Sequence, residues 1–283
     1  MASSTVDRRR FQGPETSSPI RFIRSQDKGK QPETALPPLL NTETGLRQDD
    51  RKPEDIRPIY LKTGLVPQAS GSAYIETGKT KIVCAVYGPH PTRKDAPFSA
   101  KAKLNVEVKW TPFASPGRRR VPGKDTEALG LSSQLAQALI PSLRLDLLPK
   151  SAIDLYVTIL ECDGPLDDMS SGVTAASVAL AQAGVQMYGF VVGCSAALTS
   201  IDGTLQPFLD PTYQEAKQAS GIASLACMPA MASATNISFS GSAPRSTVKA
   251  IIAGLQETAA HIHTLAVQAI QESEQSGSVN GAA

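Results

Sequence analysis

Histidine, cysteine, aromatic residues and charge bias are all scarce in this chain: 3 His, 4 Cys, 5% aromatics and a formal net charge of +2 over 283 residues. Each shortage excludes a class of function. Cys84, Cys162, Cys194 and Cys227 stand far apart inside apolar runs, with no CxxC pair and no Cys/His cluster. They read as buried free thiols of a reducing compartment rather than a disulfide framework or a zinc site. His90 lies in a proline-rich loop, and His261 and His263 are two apart on a helical stretch. Residues two apart on a helix face different directions, so this pair cannot share a metal ion. The near-neutral balance gives no global attraction to nucleic acid, so any RNA-binding surface must be local.

Other absences narrow the reading further. The first ten residues, MASSTVDRRR, hold no apolar segment, and no run in the chain is long enough to span a bilayer, so neither a signal peptide nor a membrane partner is expected. Arg8-Arg9-Arg10 reads as a solvated basic tail or a nuclear address. There is no GxSxG elbow and no Ser/His/Asp series for hydrolysis. Two stretches imitate a phosphate-binding loop and fail. Gly78-Lys79-Thr80 has its preceding glycine, Gly71, too far upstream. Gly117 to Gly123-Lys124 has one residue too many and then Asp125 in place of Ser or Thr. No cofactor, nucleotide or metal is expected.

What is present is a patterned centre between two polar ends. Hydrophobic residues make up 41% of the chain, enough for a core that must be aliphatic and alanine-rich. Residues 1–45 are rich in Ser, Pro, Gln, Thr and charge, too polar to offset their ordering entropy, and are expected to form a disordered or partner-docking tail; 274–283 form a second polar tail. Residues 46–273 form the folded domain. Ser72 to Thr77 and Lys81 to Tyr87 flank Gly78 as a hairpin, and Ala102 to Trp110 alternates Leu104, Val106 and Val108 with polar residues as a half-buried strand. Thr126 to Ile140 has helical spacing, with Asp125 or Thr126 at its start and Pro141 stopping it. Ser151 to Cys162 is a strand with Ile153, Leu155, Val157 and Ile159 on one face. Val173 to Ala183 is a helix of small residues ended by Gly184, and Phe190 to Leu198, Gly221 to Cys227 and Ile237 to Ser240 are strands. Pro244 opens a long helix to about Ser273, with an apolar stripe through Val248, Ile251, Ile252, Leu255, Ile262, Leu265, Ala266 and Ile270. This order of elements argues for an α+β sandwich.

Two blocks carry a resemblance. Arg47 to Pro89, RQDDRKPEDIRPIYLKTGLVPQASGSAYIETGKTKIVCAVYGP, has an arginine-rich lead-in, an IRPI turn, GSAYIETGKTK and a VYGP exit. Leu148 to Gly164, LPKSAIDLYVTILECDG, is followed by SGVTAASVALAQAGVQMYGFVVGCSAAL. Together they resemble the RNase PH family, over about Arg47 to Glu272. The resemblance implies a single-domain RNase PH-like βαβα sandwich of the ribosomal-protein-S5-domain-2-like type. It also implies assembly of RNase PH-like subunits, as heterodimers, into a hexameric ring with a central pore, and AQAGVQMYGFVVGCSAAL resembles the eukaryotic RNA exosome's version of that ring.

Carried over position by position, the resemblance also implies losses. Active members bind the attacking phosphate on a Gly-Ser/Thr-Arg turn just before the small-residue helix. Here that place reads Asp163-Gly164-Pro165-Leu166-Asp167-Asp168-Met169-Ser170-Ser171-Gly172, with no arginine. Asp167 and Asp168 oppose an anion there and read instead as helix-start residues matched to the dipole. Active members also hold metal and a general acid on acidic residues downstream of the position kept here as Asp210. Those positions fall on Ala216 and Ile222, and an apolar side chain neither binds Mg²⁺ nor moves a proton. Glu215, one residue from Ala216, points about 100° away on a helical segment and is a poor substitute.

A basic loop, PGRRRVPGK, places Arg118, Arg119, Arg120 and Lys124 where the family holds RNA backbone along the pore. Three guanidiniums suit phosphate contact without sequence reading, although a solvated loop or an intersubunit ion pair uses them equally well. Arg93 and Lys94 form a weaker surface patch, and Trp110, Phe113 and Phe98 are expected to pack rather than to stack on bases. The resemblance therefore implies a non-catalytic structural subunit of the RNA exosome ring, in nucleus, nucleolus and cytoplasm. Its partners would be another RNase PH-like subunit, S1/KH cap proteins and single-stranded RNA. The rival readings are an active phosphorolytic exoribonuclease, a free-standing RNA-binding module and a scaffold without RNA contact.

Overall fold

A computed structural model of the chain describes residues 39–40, 46–92, 97–114, 126–201 and 204–280. The Arg8-Arg9-Arg10 run, the Arg93-Lys94 patch, Asp125 and nearly all of the N-terminal tail lie outside these residues.

The first sheet is built from β1 (Ile59–Thr63), β2 (Gly71–Thr77), β3 (Thr80–Pro91), β4 (Lys103–Trp110) and β5 (Ser151–Glu161), in the spatial order β1-β2-β3-β5-β4. The expected hairpin is there: Thr77 pairs with Thr80 across a two-residue turn, and Gly78 takes φ +58, a left-handed conformation in which a side chain is strained. All neighbours are antiparallel except β4 and β5, which run parallel. The period-2 pattern is obeyed. Ile82, Cys84 and Val86 on β3 and Ile153, Leu155, Val157 and Ile159 on β5 are buried, facing one side of the sheet.

That side is covered by α1 (Thr126–Leu139) and α2 (Pro165–Gln182). Helix α2 starts eight residues before the expected Val173, because Pro165 fits the first helical position and Asp167 and Asp168 suit the dipole of the first turn. Gly172, which looked like part of a loop, lies inside the helix beneath Leu135 of α1. The second sheet packs on the opposite side of α2. It contains β6 (Val192–Ile201), β7 (Thr204–Leu209), β8 (Gly221–Met228) and β9 (Ser233–Gly241), all antiparallel, in the order β7-β6-β8-β9.

Helix α2 is buried nearly all round, which explains its small residues. Both sheets approach its backbone at a glycine. A Cβ on Gly71 of β2 would lie 2.3 Å from the Ala179 carbonyl, and one on Gly193 of β6 would lie 2.4 Å from the Ser170 carbonyl. The outer face of the second sheet is closed by α4 (Arg245–Asn280), whose buried Ile251, Leu255, Ala259 and Ile262 meet Val192, Cys194, Leu198 and Leu225. The backbone of α4 stays helical seven residues past the expected Ser273, although its apolar stripe stops at Ile270. The layers are thus sheet, helices, sheet, helix: the expected α+β sandwich of βαβα type. No disulfide joins the four cysteines. Cys84, Cys194 and Cys227 are buried, but Cys162, at the exposed end of β5, is only half-buried.

Candidate functional site

The expected site lies where the first turn of α2, the end of β7 and the arginine-rich lead-in to β1 meet. Strand β7 delivers Asp210 in a left-handed conformation, φ +49, with its N–H donating to the Ser195 carbonyl at 2.9 Å. The carboxylate turns inward onto Arg57. Arg57 donates to it three times: its backbone N–H and Nε to Oδ2, at 2.9 and 2.8 Å, and Nη2 to Oδ1, at 2.5 Å. The same guanidinium reaches Asp163 at 3.0 Å and Asp167 at 3.1 Å. Asp167 also accepts from the hydroxyls of Thr80 and Ser171. Arg51 approaches Asp210 from outside at 3.6 Å and pairs with Asp49 at 2.9 Å.

Arg47 is wholly buried. It donates to the carbonyls of Leu209 at 2.7 Å and Pro53 at 2.5 Å, lies 4.8 Å over the Phe208 ring and comes within 3.7 Å of Glu215. Glu215 sits on a short helix, α3 (Tyr213–Gln218), which begins with a capping box: Thr212 accepts from the Glu215 N–H, and the Glu215 carboxylate accepts from the Thr212 N–H at 2.8 Å. Glu215 is therefore buried and engaged in this cap and beside Arg47.

The electrostatics follow from this crowding. Burial alone would raise Asp210, but the Arg57 hydrogen bonds and charge outweigh it and hold Asp210 below the usual carboxylate range. Asp167 is pushed up to about 7, chiefly by burial and against the pull of Arg57. Burial also raises Asp163. Arg57, despite its burial, is raised by its bonds to Asp210, so it stays charged. Asp168 faces elsewhere, accepting from Trp110 Nε1 at 2.8 Å and from the Cys162 thiol at 3.0 Å.

A cleft of about 630 Å³ opens beside the cluster, lined by Arg51, Arg57, Lys79, Asp163, Thr212 and Tyr213 among others. The two positions read as lost catalytic sites are not in its lining. Ala216 is half-buried on α3, and Ile222 is half-buried on β8 opposite Ala197 and Ser240. Arg118, Arg119, Arg120 and Lys124 lie outside the described residues. Trp110 packs as expected, half-buried against Asp168. Phe98 and Phe113 do not: in the loops at the two ends of β4 they are 77% and 74% exposed among the described residues. The arginines that bind Asp210 were missed as site residues. The available signal was the alternation of Arg47, Arg51 and Arg57 with acidic residues ahead of β1, since a buried carboxylate requires a partner.

Comparison with known proteins follows the same line. Residues 55–186 match the family model RNase_PH, described as the 3′ exoribonuclease family, domain 1. The chain is 38% identical over 196 residues to exosome complex component Rrp41 of Methanopyrus kandleri, covering 68% of this chain and 78% of the relative. It is 34% identical over 237 residues to human exosome complex component MTR3, covering 80% and 79%. The crystal structure of rice (Oryza sativa) Rrp46 shares the fold, with a TM-score of 0.67 at 22% identity, over 78% of this chain and 98% of that one. With the sandwich and with relatives matched over most of their length, the chain belongs to the RNase PH family.

Proposed function

We propose that this protein is a non-catalytic structural subunit of the RNA exosome core ring. It pairs with another RNase PH-like subunit, docks S1/KH cap proteins and helps line the path of single-stranded RNA toward a separate 3′→5′ nuclease, in nucleus, nucleolus and cytoplasm. The observation that carries the reading is the Arg57 cluster. The one acid retained at the expected catalytic place, Asp210, is closed into a bidentate pair with Arg57, and the turn that would bind phosphate supplies Asp163 and Asp167 to the same guanidinium. A carboxylate held this way is a poor base, and a turn carrying carboxylates repels phosphate. The relatives named as exosome components support the assembly.

The sheet edges support a permanent partner. Lys62 marks the short β1, Lys103, Glu107 and Lys109 mark β4, and Pro207 marks β7. Residues of this kind protect open edges from unwanted pairing. β9, SATNISFSG, carries none of them over nine residues and, among the described residues, pairs with β8 alone. An edge of this kind suits an interface that is covered in the working protein.

The test joins native affinity purification of the tagged full chain, read by mass spectrometry, to an RNA decay assay on the isolated chain with and without phosphate and Mg²⁺. Stoichiometric recovery of RNase PH-like and S1/KH proteins, with no decay by the chain alone, is the expected result. Phosphate-dependent decay by the isolated chain would overturn it.

A further inference from the structure

Behind the Arg57 cluster, between α2, β6 and α4, lies a cavity of about 30 Å³ that the proposed function does not use. Its walls are mixed: Ile59 and Ile262 on the apolar side, and Asp167, Ser195, Asp210 and Thr258 on the polar side. Ser195 is only 4% exposed and lines this cavity. Thr258 donates its hydroxyl to the Gly254 carbonyl at 2.9 Å, which leaves its oxygen able to accept. A void lined by several polar groups and larger than about 10–15 Å³ of water-centre space admits water.

Charge makes the same demand. Asp163, Asp167 and Asp210 converge on the single guanidinium of Arg57, with Arg51 adding only a 3.6 Å approach to Asp210. The groups acting on Asp167 are Arg57 ahead of β1, Thr80 on β3, Asp168 and Ser171 on α2 itself and Asp210 after β7. Negative charge exceeds positive in this buried set, and fixed hydroxyls alone do not balance it.

We infer that this cavity is an internal hydration site, holding one or two ordered water molecules that accept from Ser195, donate to Thr258 and solvate the Asp167 carboxyl. The water belongs to the fold in the same way as the Arg57 pairs do: it lets a surplus carboxylate stay buried at the junction of the two cores. An apolar void of similar size would stay dry and take up xenon instead.

The experiment is a high-resolution crystal structure of the full chain, in whatever assembly it purifies with, with and without xenon pressure. The expected result is solvent density within hydrogen-bond distance of Ser195 Oγ and no xenon. An empty or xenon-filled cavity overturns the inference. A second measurement tests the solvation of Asp167. Ser195→Val/Thr258→Val removes both hydroxyls, and its melting temperature should fall further below that of the unsubstituted chain at pH 8, where Asp167 is ionised, than at pH 5. An equal deficit at both pH values, or a higher melting temperature than the unsubstituted chain, overturns it as well.

Discussion

Replacing Arg57 with methionine tests the centre of the argument. The substitution keeps most of the volume and removes the charge that binds Asp210, Asp163 and Asp167. Taking one partner from a buried ion pair costs about 3–5 kcal/mol, because the other partner is left buried and unpaired. Three carboxylates share this guanidinium, so the upper part of that range is expected near pH 8. The pH dependence carries a sign. In the unsubstituted chain Asp210 titrates below its ordinary value, so its contribution is present above about pH 4 and is lost only as pH falls further. Without Arg57, burial outweighs the remaining pull of Arg51 on Asp210 and raises it, so stability is instead lost as pH rises through the new value. Asp167, already raised to about 7, behaves in this second way in the unsubstituted chain. The variant should therefore lose roughly 1–3 kcal/mol more at pH 8 than at pH 5, at about 1.4 kcal/mol per pKa unit. Urea unfolding of the purified full chain reads this as a midpoint lowered by about 1–2 M at pH 8. Adding Asp210→Asn to the variant should restore about 1–3 kcal/mol, since it removes the stranded charge. A loss below about 1 kcal/mol for Arg57→Met, equal at both pH values, refutes the claim that this cluster is a closed structural unit.

Three further outcomes are expected. Ile222→Asp, alone or with Ala216→Asp, should produce no phosphate-dependent shortening of RNA, because the phosphate turn stays occupied by Asp163 and Asp167; activity in that assay would show the lost acid to be the only defect. Gly193→Ala should destabilise by about 1–3 kcal/mol, read as a lower melting temperature, because its Cβ would stand 2.4 Å from a backbone carbonyl of α2; an unchanged melting temperature would mean the helix has room to shift. Arg118, Arg119 and Arg120 changed together to Glu should weaken RNA binding by the assembled ring and flatten its log–log salt dependence by roughly 2, with no change in sequence preference; unaltered binding favours a scaffold without RNA contact.

Much of the fold was legible because its signals are local. Alternation placed β3 and β5, helical periodicity placed α1 and α4, and the turn glycine at 78 placed the hairpin. Where local signals were weak, elements were missed. β1 is five residues long, β7 contains Pro207, and α3 is a six-residue helix that depends on its capping box. The start of α2 was misplaced because Gly172 reads as a loop residue until Leu135 is seen packing over it.

The chain's chemistry divides in the same way. Sequence alone determined which side chains can ionise: Ala216 and Ile222 cannot, whatever surrounds them, and no fold restores a proton donor that the residue lacks. It also determined that Asp163, Asp167 and Asp210 are present near the expected site, but not what they do. That was decided by the tertiary structure, which brings residues 47–57 under the end of β7 and the first turn of α2, more than a hundred positions away along the chain. Burial there makes an unpaired carboxylate costly and a nearby guanidinium its natural partner, and this sets the Asp210 carboxylate, which sequence alone marks only as an acid, in an ion-pair cluster where two sheets and a helix meet.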